Sequence, residues 1–111
     1  MNYNFESILL RSSLETDLTF ICRLEGDIEN SRFISAWSAE KHKATFYNDD
    51  FCHLVVESDG IAVGFVILAG LKNPNKSIEF MRDVINEKGN GLGHRTLQAV
   101  KALSFTKLNV H

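Results

Sequence analysis

Residues 87–94, "EKGNGLGH", place Gly89, Gly91 and Gly93 at alternate positions directly ahead of the helical run "RTLQAV". Glycine loses more conformational freedom on folding than any other residue, so three of them at a helix start imply a need for bare backbone. The chemistry that needs it is anion binding. The first N–H groups of a helix have no intrahelical partner, and the helix dipole adds partial positive charge at that end. Glycines let those amides approach a phosphate with no Cβ in the way. Two familiar phosphate loops are excluded by spacing. The dinucleotide fingerprint needs G-x-G-x-x-G in a βαβ unit, whereas these glycines read G-x-G-x-G behind a hairpin. The nucleoside-triphosphate loop needs Gly-Lys followed by Ser or Thr, and neither Gly91 nor Gly93 precedes a lysine.

Other reactive side chains give no such pattern. Cys22 and Cys52 stand in separate apolar contexts without Cys-x-x-Cys spacing and read as reduced core thiols of a cytoplasmic protein. His42, His53, His94 and His111 show no metal-ligand spacing, and no metal is expected. His53 adjoins Cys52, but neighbouring strand residues face opposite ways, so the two make a poor chelate.

The elements that position the glycine turn follow from hydrophobic period. "SILLRS" (7–12) reads as a first strand. Residues 15–27 read as a helix, with Thr16 capping it, Leu18, Ile21 and Leu24 on its apolar stripe, and Gly26 just past its end. A second, more polar helix spans 38–46 under a Ser38 cap, with Trp37 anchoring the preceding segment in the core. "CHLVVES" and "IAVGFVILAGL" flank Asp59-Gly60, the strongest short hairpin cue. The second run is apolar on both faces and reads as a central strand, with Gly64 marking a bulge or a close contact. "IEFMRDVIN" (78–86) is a fourth strand. The turn then leads into a helix from about 91 to 105, with Leu97, Val100 and Leu103 or Ser104 facing inward and His94, Arg95, Gln98 and Lys101 outward. The order β-α-α-β-β-β-α, with an antiparallel meander and helices on its faces, is an α+β fold.

The bulk numbers set limits. A length of 111 residues argues for one domain, 1–111. A net charge of −2 gives no basic excess for nucleic acid. No segment reaches the roughly 18 apolar residues of a membrane span. The N-terminal "MNYNFES" has neither basic region nor apolar run, so no signal peptide is expected.

The motif "KGNGLG" resembles the pyrophosphate loop of the GNAT superfamily, the acyl-CoA-dependent N-acetyltransferases. That pattern is Arg or Gln, two residues, Gly, any residue, then Gly or Ala. Lys88, Gly91 and Gly93 occupy those places, with Lys88 a conservative departure. "LLRSSLETDLTFICRLE" is similar to the family's opening strand and helix, "VVESDGIAVGFVIL" to its second and third strands, and "SIEFMRDVINEKGNGLGHRTLQAVKALSF" to its fourth strand, loop and third helix. The resemblance runs from residue 8 to 106 in the family's order. It implies a GNAT-like mixed sheet lacking the usual C-terminal β-α-β-β elements.

The resemblance also implies a mechanism: transfer of acetyl from acetyl-CoA to an amine by direct attack. Backbone amides of Lys88, Gly89, Asn90, Gly91, Leu92, Gly93 and His94 would cradle the pyrophosphate. Val84 and Ile85 would bond the pantetheine arm, and a backbone N–H there would polarise the thioester carbonyl. Deprotonating the amine needs a base or a water chain. Glu79 on the fourth strand is the first candidate base and Glu57 the second, each otherwise a solvated strand carboxylate. Asp83 is placed to pair with Arg82 or Lys88. The family's fifth strand, fourth helix and leaving-group Tyr have no counterpart here, and Tyr3 and Tyr47 lie in the wrong region. The fourth strand is therefore an expected open edge, and a homo-oligomer formed through that edge is expected. Two other functions share these features: a non-catalytic CoA-binding module, and an interaction protein that adds a partner strand to the open edge.

Overall fold

The computed structural model describes residues 1–32, 36–72, 78–86 and 91–106, the side chains of 28–32 excepted. A five-stranded sheet in the order β1-β2-β3-β4-β5 forms its centre. The strands are β1 (Asn2–Phe5), β2 (Ile8–Ser12), β3 (Phe51–Ser58), β4 (Ile61–Ala69) and β5 (Glu79–Ile85). The helices are α1 (Leu18–Arg32), α2 (Ala39–Phe46) and α3 (Leu92–Thr106). The predicted fourth strand is thus β5. All four ladders are antiparallel, so the mixed sheet implied by the resemblance is an antiparallel one over the described strands.

Each face of the sheet has its own core. Ile8, Leu10, Cys52, Leu54, Val56, Val66 and Leu68 pack under Leu92, Ala99, Val100 and Leu103 of α3. On the other face Phe65, Ile67 and Val84 meet Ile21 and Leu24 of α1, with Trp37, Phe46 and Phe51 at the margin. Phe65, Val66, Ile67 and Leu68 are successive and almost fully buried. A strand covered on both faces keeps no polar alternation, and β4 is the central strand its sequence predicts.

The Asp59-Gly60 turn has both residues at positive φ, 53° and 82°. That is the mirror-image turn whose twist matches the flanking strands. Gly64 serves both roles assigned to it. Val63 is an extra residue in β4 opposite the Val56–Glu57 step, and a Cβ on Gly64 would lie 2.2 Å from the Val84 carbonyl oxygen.

Four local expectations are corrected. Residues 2–5 form a strand, β1, because a two-residue turn with Glu6 at φ 56° folds them onto β2. The first helix opens as a 3₁₀ turn, Glu15–Asp17, and its N-cap position is Leu14 rather than Thr16, with Asp17 three residues on accepting from the Leu14 N–H through Oδ2 at 2.8 Å. Gly26 lies inside α1 rather than past its end. On α3, Leu97 is exposed, and Thr96 and Ala99 fill the inward stripe beside Val100 and Leu103. The Ser38 cap stands as expected, its hydroxyl accepting from the Lys41 N–H at 3.2 Å.

Candidate functional site

The start of α3 lies in the segment that follows β5. Arg95 N–H donates to Gly91 O at 3.0 Å. That bond opens the helical ladder, so the amides of Leu92, Gly93 and His94 precede it and have no helical acceptor. Gly91 sits at φ 68°, and among the described residues, its chain neighbours aside, nothing lies within 4 Å of where its Cβ would be. Leu92 is buried and anchors the helix end in the core, while Gly93 and His94 are exposed. Arg95 Nη1 donates to Ser7 Oγ at 2.9 Å, tying the same helix end to the β1–β2 turn. Lys88, Gly89 and Asn90 lie outside the described residues.

Strand β5 brings the remaining predicted cofactor contacts alongside. Val84 pairs with Phe65 and Ile85 with Gly64, close to the helix-start end of the strand. Ile67 pairs with Arg82 and Leu68 with Phe80, which leaves Met81 as an extra residue in β5. Such a bulge bends the strand and withdraws a backbone group from the ladder. Phe80 and Met81 are 40% and 42% exposed, and among the described residues the outer edge of β5 pairs with no strand.

The two candidate bases are in different states. Glu79 opens β5 opposite Ala69 and is exposed. Glu57 is engaged: its Oε2 accepts from Arg11 Nε at 2.6 Å. Arg11 also forks onto Asp17 with bonds of 2.8 and 3.0 Å, which raises the Arg11 guanidinium and holds the Asp17 carboxyl below the usual range despite its burial. Arg82, expected beside Asp83, pairs instead with Glu25 of α1 through two bonds, Nε to Oε1 at 2.8 Å and Nη2 to Oε2 at 2.5 Å.

That pair opens onto a buried polar group absent from the sequence reading. Glu25 Oε1 lies 3.0 Å from His42 Nε2, His42 Nδ1 lies 2.9 Å from His53 Nε2, and His53 Nδ1 lies 2.7 Å from Ser13 Oγ. Relative exposures are 1% for Glu25, 0% for His42, 5% for His53 and 9% for Ser13. Burial raises the Glu25 carboxyl, but the bonds from His42 and Arg82 outweigh it, and the net shift is downward. His53 is pushed down to about 3, by burial first and by His42 second. The rings pack among aromatics, with Phe46 edge-on to His53 and Phe65 stacked on it at 5.5 Å. One signal was available in the sequence: His42, Thr45 and Phe46 fall on a single helical stripe. Among the described residues no group of three metal-ligating side chains is assembled, and no helix is long and apolar enough to cross a membrane.

No protein-family model matches the sequence, and no curated protein matches it. Solved structures do. A dodecameric spermidine N-acetyltransferase from Vibrio cholerae is 26% identical with a TM-score of 0.74, over 96% of this chain and 67% of that one. The Vibrio cholerae enzyme in complex with CoA and spermine superimposes with a TM-score of 0.79 at 24% identity, over 96% of this chain and 69% of that one. A probable acetyltransferase at 15% identity shares the fold, with a TM-score of 0.71 over 99% of this chain and 70% of that one. The chain thus spans about two thirds of the length of these relatives. This structural kinship places the chain in the GNAT superfamily of N-acetyltransferases.

Proposed function

We propose that the protein is a GNAT-type N-acyltransferase that takes acetyl from acetyl-CoA and passes it to an amine. One observation carries this reading: Gly91 at positive φ, with no described residue beyond its chain neighbours near where a Cβ would stand, heads a buried-anchored helix whose first amides have no helical acceptor. Those features suit a diphosphate. The amides of Leu92, Gly93 and His94, with Lys88, Gly89 and Asn90 before them, bind the pyrophosphate. Backbone groups of Val84 and Ile85 align the pantetheine arm, and a β5 N–H donates to the thioester oxygen as charge develops there. Bound acetyl-CoA supplies an activated acyl group. Glu79, exposed on β5, takes the acceptor's proton directly or through water. Glu57 is held by Arg11 and is the weaker base.

The acceptor class follows from the relatives, two of which are named for spermidine. Primary aliphatic amines, spermidine among them, are the first to test. The dodecameric relative supports a homo-oligomer, formed here through the outer edge of β5. We assign the protein to the cytoplasm, consistent with two free thiols.

Calorimetric titration with CoA tests the site, and thiol release from acetyl-CoA with a panel of amines tests the reaction. CoA binding without thiol release would favour a non-catalytic CoA-binding module. Gly91→Val strains a left-handed position that only glycine adopts freely, at a cost of about 1–2 kcal/mol. It also puts methyl groups where the phosphate approaches. The expected result is at least a tenfold loss of CoA affinity with the fold retained, and an unchanged affinity would remove the turn from the site.

A further inference from the structure

Five side chains from separate parts of the fold make an unbroken hydrogen-bonded series under the sheet. Arg82 stands on β5, Glu25 on α1, His42 on α2, His53 on β3, and Ser13 follows β2. The acyl-transfer reading uses none of them. A buried polar group of this extent is costly unless every member is satisfied.

We propose that this series is a one-way relay that positions the bulged centre of β5 for acyl transfer, with Glu25 setting its polarity and Arg82 as its output. Glu25 and His42 are then positioning residues. The inference rests on the acyltransferase reading above.

Polarity follows from donor counting. Glu25, held by Arg82, is an acceptor-only carboxylate, so His42 Nε2 must carry a hydrogen. With a single ring hydrogen, placed at Nε2, His42 offers a lone pair at Nδ1, and His53 Nε2 at 2.9 Å donates to it. His53 Nδ1 is left as an acceptor for the Ser13 hydroxyl at 2.7 Å. Every donor points toward Glu25, and both rings are Nε2–H tautomers. One carboxylate thereby fixes three bonds.

The output is geometric. Arg82 is the neighbour of Met81, the extra residue of β5. Among the described residues β5 has a strand partner on one side only. Its middle is held by the β4 ladder and by the Glu25–Arg82 fork, whose two bonds fix both position and tilt. The same strand aims the proposed thioester donor, and small misalignments there cost large factors in rate.

Imidazole ¹⁵N NMR of the intact protein tests the relay. The wild type should show both rings as Nε2–H tautomers. In Glu25→Gln one edge of the amide must oppose Arg82, because Oε1 accepts from both His42 Nε2 and Arg82 Nε while Oε2 accepts from Arg82 Nη2. With the amide oxygen at the Oε1 position the rings keep their tautomers and the fork loses its Nη2 bond. In Glu25→Ala His42 Nε2 has no carboxylate to donate to, and both rings should leave the pure Nε2–H form together. A wild-type ring in the Nδ1–H form, or Glu25→Ala rings that both stay Nε2–H, overturns the relay. Steady-state kinetics test the positioning. Glu25→Gln should lower kcat about tenfold while KM for acetyl-CoA stays within about twofold, because the phosphate turn is untouched. Arg82→Lys keeps the charge and loses the fork. It should show the same kcat loss with wild-type tautomers, and it serves if Glu25→Gln does not fold. Wild-type kcat in either variant overturns the positioning role. A wild-type protein that binds no CoA by calorimetry removes the acyltransferase reading and the positioning role together, while the tautomers still decide the relay.

Discussion

His53 is a histidine held neutral by its surroundings. It faces Ser13, His42, Phe46 and Phe65, and the charges of Glu25 and Asp17 act on it against the effect of burial. Its folded value of about 3 lies far below the ordinary 6.5. Between those two values the unfolded chain binds the proton and the folded one does not. Stability therefore rises with pH through this window and is lost as pH falls through it, by up to about 1.4 kcal/mol per pH unit. Urea unfolding from pH 7 to pH 4.5 should show this slope, and His53→Gln should flatten it. An unchanged slope would mean that another group governs acid stability. Asp17 and Glu25, both lowered, contribute stability above the ordinary carboxylate range that fades as pH falls below about 4, overlapping the lower end of the His53 window but not the pH 7 to 4.5 range of the measurement. None of this was visible residue by residue. His42 stood in a helix that reads as polar, and Glu25 and Arg82 are 57 positions apart.

At the level of elements, the β4–β5 contact sets the geometry of the candidate site. Gly64 lets the two strands approach at the level of Val84 and Ile85, the predicted pantetheine contacts. Its missing Cβ would meet the Val84 carbonyl at 2.2 Å and Ile85 Cα at 2.9 Å, and backbone cannot move aside as a flexible side chain can. Gly64→Ala should cost about 1–3 kcal/mol, as overpacking does, and should weaken CoA binding as well. Thermal melts and CoA titration read the two effects separately. A variant as stable as wild type would mean that β5 gives way more easily than its packing indicates. The Asp-Gly hairpin, the apolar central strand and the Ser38 cap were legible because each depends on residues within a few positions of one another. The β1 strand was missed because "NYNF" carries no strong alternation, and its pairing comes from a turn that places Glu6 at positive φ.

On the scale of the whole molecule, the outer edge of β5 and the exposed Phe80 and Met81 form a surface suited to strand pairing with a second copy. Light scattering at micromolar concentration should return a mass above 12.5 kDa. Met81→Lys, a charge placed on that edge, should lower it. A wild-type monomer with a cooperative melt would rule out this assembly.

The sequence alone determined the order of the main elements, the hairpin turn, the central strand and the glycine turn before α3. These rest on local period and on backbone demands that only particular residues meet. The tertiary structure decided the rest: that Arg82 turns from Asp83 to Glu25, that Glu57 is tied to Arg11, and that two histidines with no common spacing join in one buried relay. Those choices were settled by which side chains the packed sheet and helices leave without water. A buried donor or acceptor must then find its partner across the fold, at any separation along the chain.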